Sequence, residues 1–230
     1  MAFQRAALGA LLLAIPVATA AQTAPSTALV ATHRVAYFEV APAEAGRTAD
    51  ILKTYRDAVR SAAGLLRIDV LQQIGRPSFF AVAEKWRDGA ALQAHLDSRD
   101  NMMLRTSLQT VIISPFDERL LAPVAAQAMA GAPPADSIFV LTHADSIDRS
   151  GVVSTMLQEL ATAARRENGN VAFEVTVQPN RTNHFTLLEI WSTQMARDAH
   201  ALAETTKTFR MAFGPLSGAL YDERMYRAVR

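Results

Sequence analysis

The chain has 230 residues, with 23 basic against 22 acidic side chains and no cysteine. A net charge this close to zero argues against a nucleic-acid or anionic-membrane partner. The absence of thiols excludes disulfides, thiolate catalysis and zinc–thiolate sites.

The N-terminus reads as a targeting segment. Arg5 precedes an apolar run from Ala6 to Val17, and Ala18-Thr19-Ala20 then offers the small-x-small pattern at which leaders are cut. Residues 1–20 are therefore expected to be a cleavable signal peptide, too short to span a bilayer stably, that sends the chain to the periplasm or beyond. No cysteine follows, so no lipid anchor is expected, and losing Arg5 leaves 22 charges of each sign. Residues 21–32 read as an N-terminal extension.

After the leader the chain repeats itself. Residues 33–125 lie over residues 138–230 at an offset of 105 with no gap, and roughly 20 of the aligned positions are identical, as expected of one duplicated domain. The sharpest cluster is Phe80, Glu84, Trp86, Ala91, Ala94 and His95, repeated as Phe185, Glu189, Trp191, Ala196, Ala199 and His200. Gly64 recurs as Gly169, Arg105 as Arg210, and Asp117-Glu118-Arg119 as Asp222-Glu223-Arg224. The expected domains are residues 33–124 and 137–230, joined by an Ala-, Gly- and Pro-rich linker over residues 125–136.

Within the first repeat, Val35 to Val40 is β-branched and aromatic and ends near Pro42, so a strand is expected. From Thr48 onward Ile51, Leu52, Tyr55, Ala58, Val59 and Ala62 fall at helical spacing, and the helix is expected to run to a left-handed cap at Gly64. Leu66 to Gln73 and Phe79 to Trp86 read as strands around the turn Gly75-Arg76-Pro77-Ser78, matched in the second copy by Pro179-Asn180-Arg181-Thr182. A helix is expected from near Asp88, a third over Asn101 to Leu108, and a last strand from Phe116 to Leu121. The order β-α-β-β-α-β is the ferredoxin-like arrangement, an α+β fold whose sheet carries helices on one face. Two such domains in one chain can pack their bare apolar faces together, so an internal pseudo-dimer is expected.

This order, with the pattern F-x3-E-x-W-x8-H in both copies, resembles the antibiotic biosynthesis monooxygenase family of dimeric α/β barrels. The resemblance covers essentially the whole mature chain. It implies two ferredoxin-like domains with sheets face to face, each with a pocket between its own sheet and helices. It also implies one of several activities: metal- and flavin-free oxidation of quinols or polycyclic aromatics, haem degradation, or isomerisation of small metabolites. The leading expectation is a cofactor-independent monooxygenase acting on a small aromatic or quinol-like compound with dioxygen. The alternative is a periplasmic protein that binds haem or a lipophilic aromatic without turnover. Neither a nucleic acid nor a membrane is an expected partner after leader removal, and further homo-oligomerisation stays open.

Phe80, Val82, Glu84 and Trp86 share one face of their strand, as do Phe185, Leu187, Glu189 and Trp191. The resemblance places a pocket-wall tryptophan at this strand position; the residues alone leave open a core tryptophan that closes the sheet. His95 and His200 lie on or beside an apolar helix face, where an imidazole serves as base, oxyanion donor or satisfied core group. Glu84 and Glu189, on a strand among large apolar groups, must be hydrogen-bonded, paired or protonated, and Arg105 and Arg210 are their expected partners. Tyr55 and Tyr37, aligned with Leu160 and Thr142, would confine any tyrosine chemistry to the first half. The candidate catalytic set is thus Trp86, His95, Tyr55, Arg105 and Glu84, and the candidate substrate-binding set is Phe80, Trp191, His200, Glu189 and Arg210. His143 and His184 with His200 meet no metal-ligand spacing, and no metal site is expected.

Overall fold

The computed structural model describes residue 30, residues 32–129 and residues 131–230. The expected leader lies outside the described residues, and among them no helix is long and apolar enough to cross a membrane.

The first half runs β1 (His33–Glu39), a 3-10 turn, α1 (Ala45–Val59), β2 (Leu65–Gln73), β3 (Phe79–Trp86), α2 (Gly89–Leu96), α3 (Arg99–Gln109) and β4 (Asp117–Ala125). The second repeats it as β5 (Ile138–Asp145), α4 (Val152–Ala164), β6 (Asn170–Gln178), β7 (Arg181–Trp191), α5 (Gln194–Leu202), α6 (Glu204–Phe213) and β8 (Asp222–Ala228). Each half is the expected ferredoxin-like sheet with its helices on one face. Side-chain caps start three of the helices: Asp88, Ser98 and Thr193 accept hydrogen bonds from the backbone N–H of Ala91, Asn101 and Ala196.

All strands close into one antiparallel barrel in the order β1-β3-β2-β8-β5-β7-β6-β4. The halves join where β2 meets β8 and where β4 meets β6. Closure leaves no sheet edge bare, and it explains why β4 runs past the expected Leu121 to Ala125: its far end pairs with β6. The inward faces of both halves share one core of Val35, Leu71, Leu121, Phe139, Leu141, Leu188 and Tyr226. The outward faces of the two sheets pack under their own helices as separate cores.

Three sequence expectations need correction. Helix α1 ends at Val59 with Arg60 as its helical cap, whereas Gly64, at φ +85°, turns the chain into β2. The second hairpin turns at Pro179-Asn180, because Arg181 already belongs to β7. The offset is also not constant: Arg34 pairs with Glu84 but Val140 with Glu189, so β1 maps onto β5 at 106, whereas β3 maps onto β7 at 105. The structural counterpart of Tyr37 is therefore His143 and not Thr142, and these two rings meet edge-on inside the barrel, 5.2 Å apart. A one-residue slip moves every side chain of a strand to the other face, so this shift decides which residues the two halves share.

Candidate active site

In the first half the outward face of the sheet presents Arg34 from β1 and Glu84 and Trp86 from β3. Tyr55 descends from α1 and His95 from α2, and all five are buried. The Tyr55 hydroxyl donates to Glu84 Oε1 at 2.6 Å and lies 2.8 Å from His95 Nε2. Arg34 Nη1 reaches Glu84 Oε1 at 3.1 Å and the Tyr55 oxygen at 3.3 Å, and Trp86 Nε1 donates to Glu84 Oε2 at 3.2 Å. The imidazole of His95 stacks on the Trp86 indole with centroids 4.5 Å apart.

Arg34 Nε donates to Glu118 at 2.6 Å, and Glu118 also receives Arg105 at 2.6 Å, which continues the network to the surface. Burial alone raises the Glu84 carboxyl. The His95 hydrogen bond and the Arg34 charge, with Tyr55, outweigh it and hold the group at about 2. Burial, then the neighbouring Glu84 charge, pushes the Tyr55 hydroxyl far above the ordinary phenol range, so it stays protonated and acts as a donor.

The second half repeats the pair and loses its surroundings. Trp191 stacks on His200 at 4.6 Å and donates to Glu189 at 2.9 Å. Val140 replaces Arg34 and Leu160 replaces Tyr55, so no cation or hydroxyl reaches Glu189 from the first strand or first helix of this half. Burial lifts its carboxyl to about 7, against the hydrogen bond from Trp191 and the charges of Arg197 and Arg210. His200 turns Nδ1 to Glu167 Oε2, 2.9 Å away, a carboxylate with no counterpart at Ala62.

Trp86, His95, Tyr55 and Glu84 thus converge, whereas Arg105 pairs with Glu118 and not with Glu84. Arg210 likewise pairs with Glu223 at 2.9 Å and not with Glu189. The third helices set both arginines over the last strand of their own sheet, out of reach of the buried glutamates. Phe80 lies deeper, stacked on Phe38 in the core. The repeat pattern does not mark Arg34, Glu118 or Glu167 as site residues; a buried glutamate demanding a cation signals such a partner without naming it.

Beside each network lies a groove between the first and third helices of its half. In the first half it has about 320 Å³ and is lined by Ile51, Tyr55, Ala58, Met103 and Leu104 among others. In the second it has about 350 Å³, with Met156, Leu160, Ala163, Thr208 and Phe209 at the same positions. Neither imidazole lines these grooves. Tyr55 is the residue that joins the first groove to the buried network. Among the described residues, no three potential ligands converge on a metal position.

The family model for antibiotic biosynthesis monooxygenases matches residues 32–100 and 150–211, more than half of the chain and both copies of the glutamate–tryptophan–histidine pattern. The chain belongs to that family. Among solved structures, a protein from Fusobacterium nucleatum assigned as a monooxygenase superposes with a TM-score of 0.78 at 12% identity, covering 88% of this chain and 94% of its own. A Lactobacillus acidophilus protein assigned likewise gives 0.70 at 12%, covering 86% and 93%. An anthrone oxidase-like protein gives 0.66 at 13%, covering 86% and 91%. At such identities the likeness shows the shared fold, over nearly the full length of each relative. A search of curated proteins gives no significant match.

Proposed function

We propose that this chain is an exported monooxygenase that oxidises a small aromatic or quinol-like compound in its first half, with dioxygen and without metal, flavin or haem. A monooxygenase-like function comes with the family, and the finer reading rests on one observation. Only the first half joins an apolar groove to a buried proton-bearing network, through Tyr55. A flat ring fits such a cleft, and the chemistry asks the protein for little: a base, a hydrogen-bond donor for the oxyanion, and exclusion of water. The substrate supplies the electrons. Once deprotonated, it passes them to dioxygen; one oxygen atom enters the ring system and the other leaves as water with two substrate hydrogens. His95 and Tyr55 are the groups placed to handle the proton, and Trp86 holds the imidazole.

The second groove has the same outline with Leu160 in place of Tyr55, which favours retention of a lipophilic aromatic without turnover in that half. Haem fits poorly in either, because each imidazole is stacked on its own tryptophan and buried away from the groove. The test is dioxygen uptake by the purified protein with a panel of hydroquinones and polycyclic phenols. Uptake is expected to fall in Trp86→Phe and His95→Ala and to survive in Trp191→Phe and His200→Ala; silence across the panel would sink the reading.

A further inference from the structure

We propose that Arg34 is a positioning residue that locks His95 in the tautomer carrying its proton on Nε2, leaving Nδ1 as the free proton acceptor, and that only the first half is built this way. The assignment rests on the monooxygenase reading for its use, and on hydrogen-bond directions for its content.

A guanidinium only donates, and an ionised carboxylate only accepts. Arg34 Nη1 sits between Glu84 Oε1 and the Tyr55 oxygen, at 3.1 and 3.3 Å, so it donates toward both. The single Tyr55 proton goes to Glu84 Oε1, the 2.6 Å contact. The Tyr55 oxygen, 2.8 Å from His95 Nε2, is therefore an acceptor toward the ring, and Nε2 must carry hydrogen. The other Glu84 oxygen, 3.4 Å from Nε2, asks for the same proton. A neutral imidazole with Nε2–H has its lone pair on Nδ1, and no described residue hydrogen-bonds that atom.

The charged and titratable groups around His95 are Arg34 from β1, Tyr55 from α1 and Glu84 from β3, and all three favour this one arrangement. In the second half the logic reverses. Glu167 accepts from His200 Nδ1, which places the proton there, and Nε2 faces Thr206 Oγ1 at 3.4 Å and Glu189 at 3.8 Å. The two histidines, alike in sequence position and in stacking, thus hold their protons on opposite nitrogens. The difference on the His95 side traces to Arg34 and Tyr55, whose places Val140 and Leu160 take.

Two-bond 1H–15N correlation spectra of the imidazoles in the whole protein at neutral pH test this. The expected result is the Nε2–H pattern for His95 and the Nδ1–H pattern for His200. In Arg34→Met the Tyr55 hydroxyl is released from its donor and the His95 preference is lost, while His200 is unchanged; Arg34→Lys restores it. Dioxygen uptake in Arg34→Met should drop at least about 100-fold in kcat with a smaller change in KM, the scale of a lost acid–base group. An Nδ1–H pattern for His95 in the unmodified protein overturns the assignment without need of any variant. So does a preserved Nε2–H pattern in Arg34→Met, or turnover that depends on His200 and not on His95. Correct tautomers with no uptake for any substrate would instead sink the monooxygenase reading and leave the role of Arg34 standing.

Discussion

The two halves bury the same glutamate, tryptophan and histidine, with the ring pairs stacked at 4.5 and 4.6 Å, yet the glutamates end near 2 in one half and near 7 in the other. Duplication kept the part of the motif that packs. The protonation state is set by residues from elsewhere in each half: Arg34 and Tyr55 against Val140 and Leu160, and Ala62 against Glu167. One scaffold therefore carries an ionised, hydrogen-bonded network on one side and a carboxyl that titrates near neutrality on the other. Stacking and burial alone do not make a site; the partners of the buried charge decide what it can do.

The comparison is broken most severely at Arg34. Arg34→Met leaves Glu84 buried without its cation, and removing one partner of such a pair costs about 3–5 kcal/mol. Denaturant unfolding should show that loss, and adding Glu84→Gln should recover much of it, because the orphaned charge is then gone. A double variant no more stable than Arg34→Met would mean that packing, and not the charge, holds this region.

The pH dependence of stability should separate the halves next. The Glu189 carboxyl is raised from its ordinary 4.5 to about 7 in the fold, so the stability it contributes is complete below about 4.5 and lost as pH rises through 7. The loss is about 3 kcal/mol at 1.36 kcal/mol per unit. Glu84 is lowered from 4.5 to about 2, so its contribution is complete above about 4.5 and lost as pH falls toward 2. Glu189→Gln should flatten the melting temperature between pH 4.5 and 7 and leave the acid limb intact; Glu84→Gln should do the reverse. Identical profiles for both variants would contradict the asymmetry.

Most of the fold was legible in the sequence because two diverged copies encode the same elements, so each helix and strand is read twice. Leu52 and Leu157, or Val82 and Leu187, mark the same buried positions. The glutamate, tryptophan and histidine were legible for the same reason. Arg34 was not: at the constant offset it lies over Phe139, and only strand pairing shows that β5 has slipped by one and that Val140 takes its place. The partner of Arg105 is not legible, because helix periodicity gives the face of α3 but not the strand beneath it. That strand is β4, where Glu118 already holds Arg34. Glu167 has no counterpart in the first half, so the repeat gave no reason to look at it.

Features that the halves share should respond equally, which sharpens the contrast. Gly64 and Gly169 have φ of +85° and +83°, and a Cβ on either would come within 2.6 or 2.5 Å of Ala91 or Ala196 on the following helix. Gly64→Ala and Gly169→Ala should each cost about 2 kcal/mol, from left-handed strain and from pushing the helix away. A much larger cost on one side would show that the helix of that half, which carries its histidine, is the less able to shift.

The smallest effect is expected at Arg105 and Arg210, and it bears on how far the site extends. Their side chains are 39% and 42% exposed, and each glutamate they touch has a second, better-covered cation: buried Arg34 on Glu118, half-buried Arg197 on Glu223. Solvent screens such pairs, so Arg105→Ala and Arg210→Ala should each cost under about 1 kcal/mol in thermal or denaturant unfolding. In the second half no hydrogen-bonded network is disturbed. In the first half, Glu118 freed of Arg105 has only Arg34 to bind and will pull harder on its Nε, loosening Nη1 from Glu84 and Tyr55. Arg105→Ala should therefore lower dioxygen uptake several-fold while barely changing stability. Arg210→Ala should leave uptake unchanged, because no hydrogen bond joins it to the network around His95; its further effect is to raise the Glu189 carboxyl, whose burial the Arg210 charge opposes.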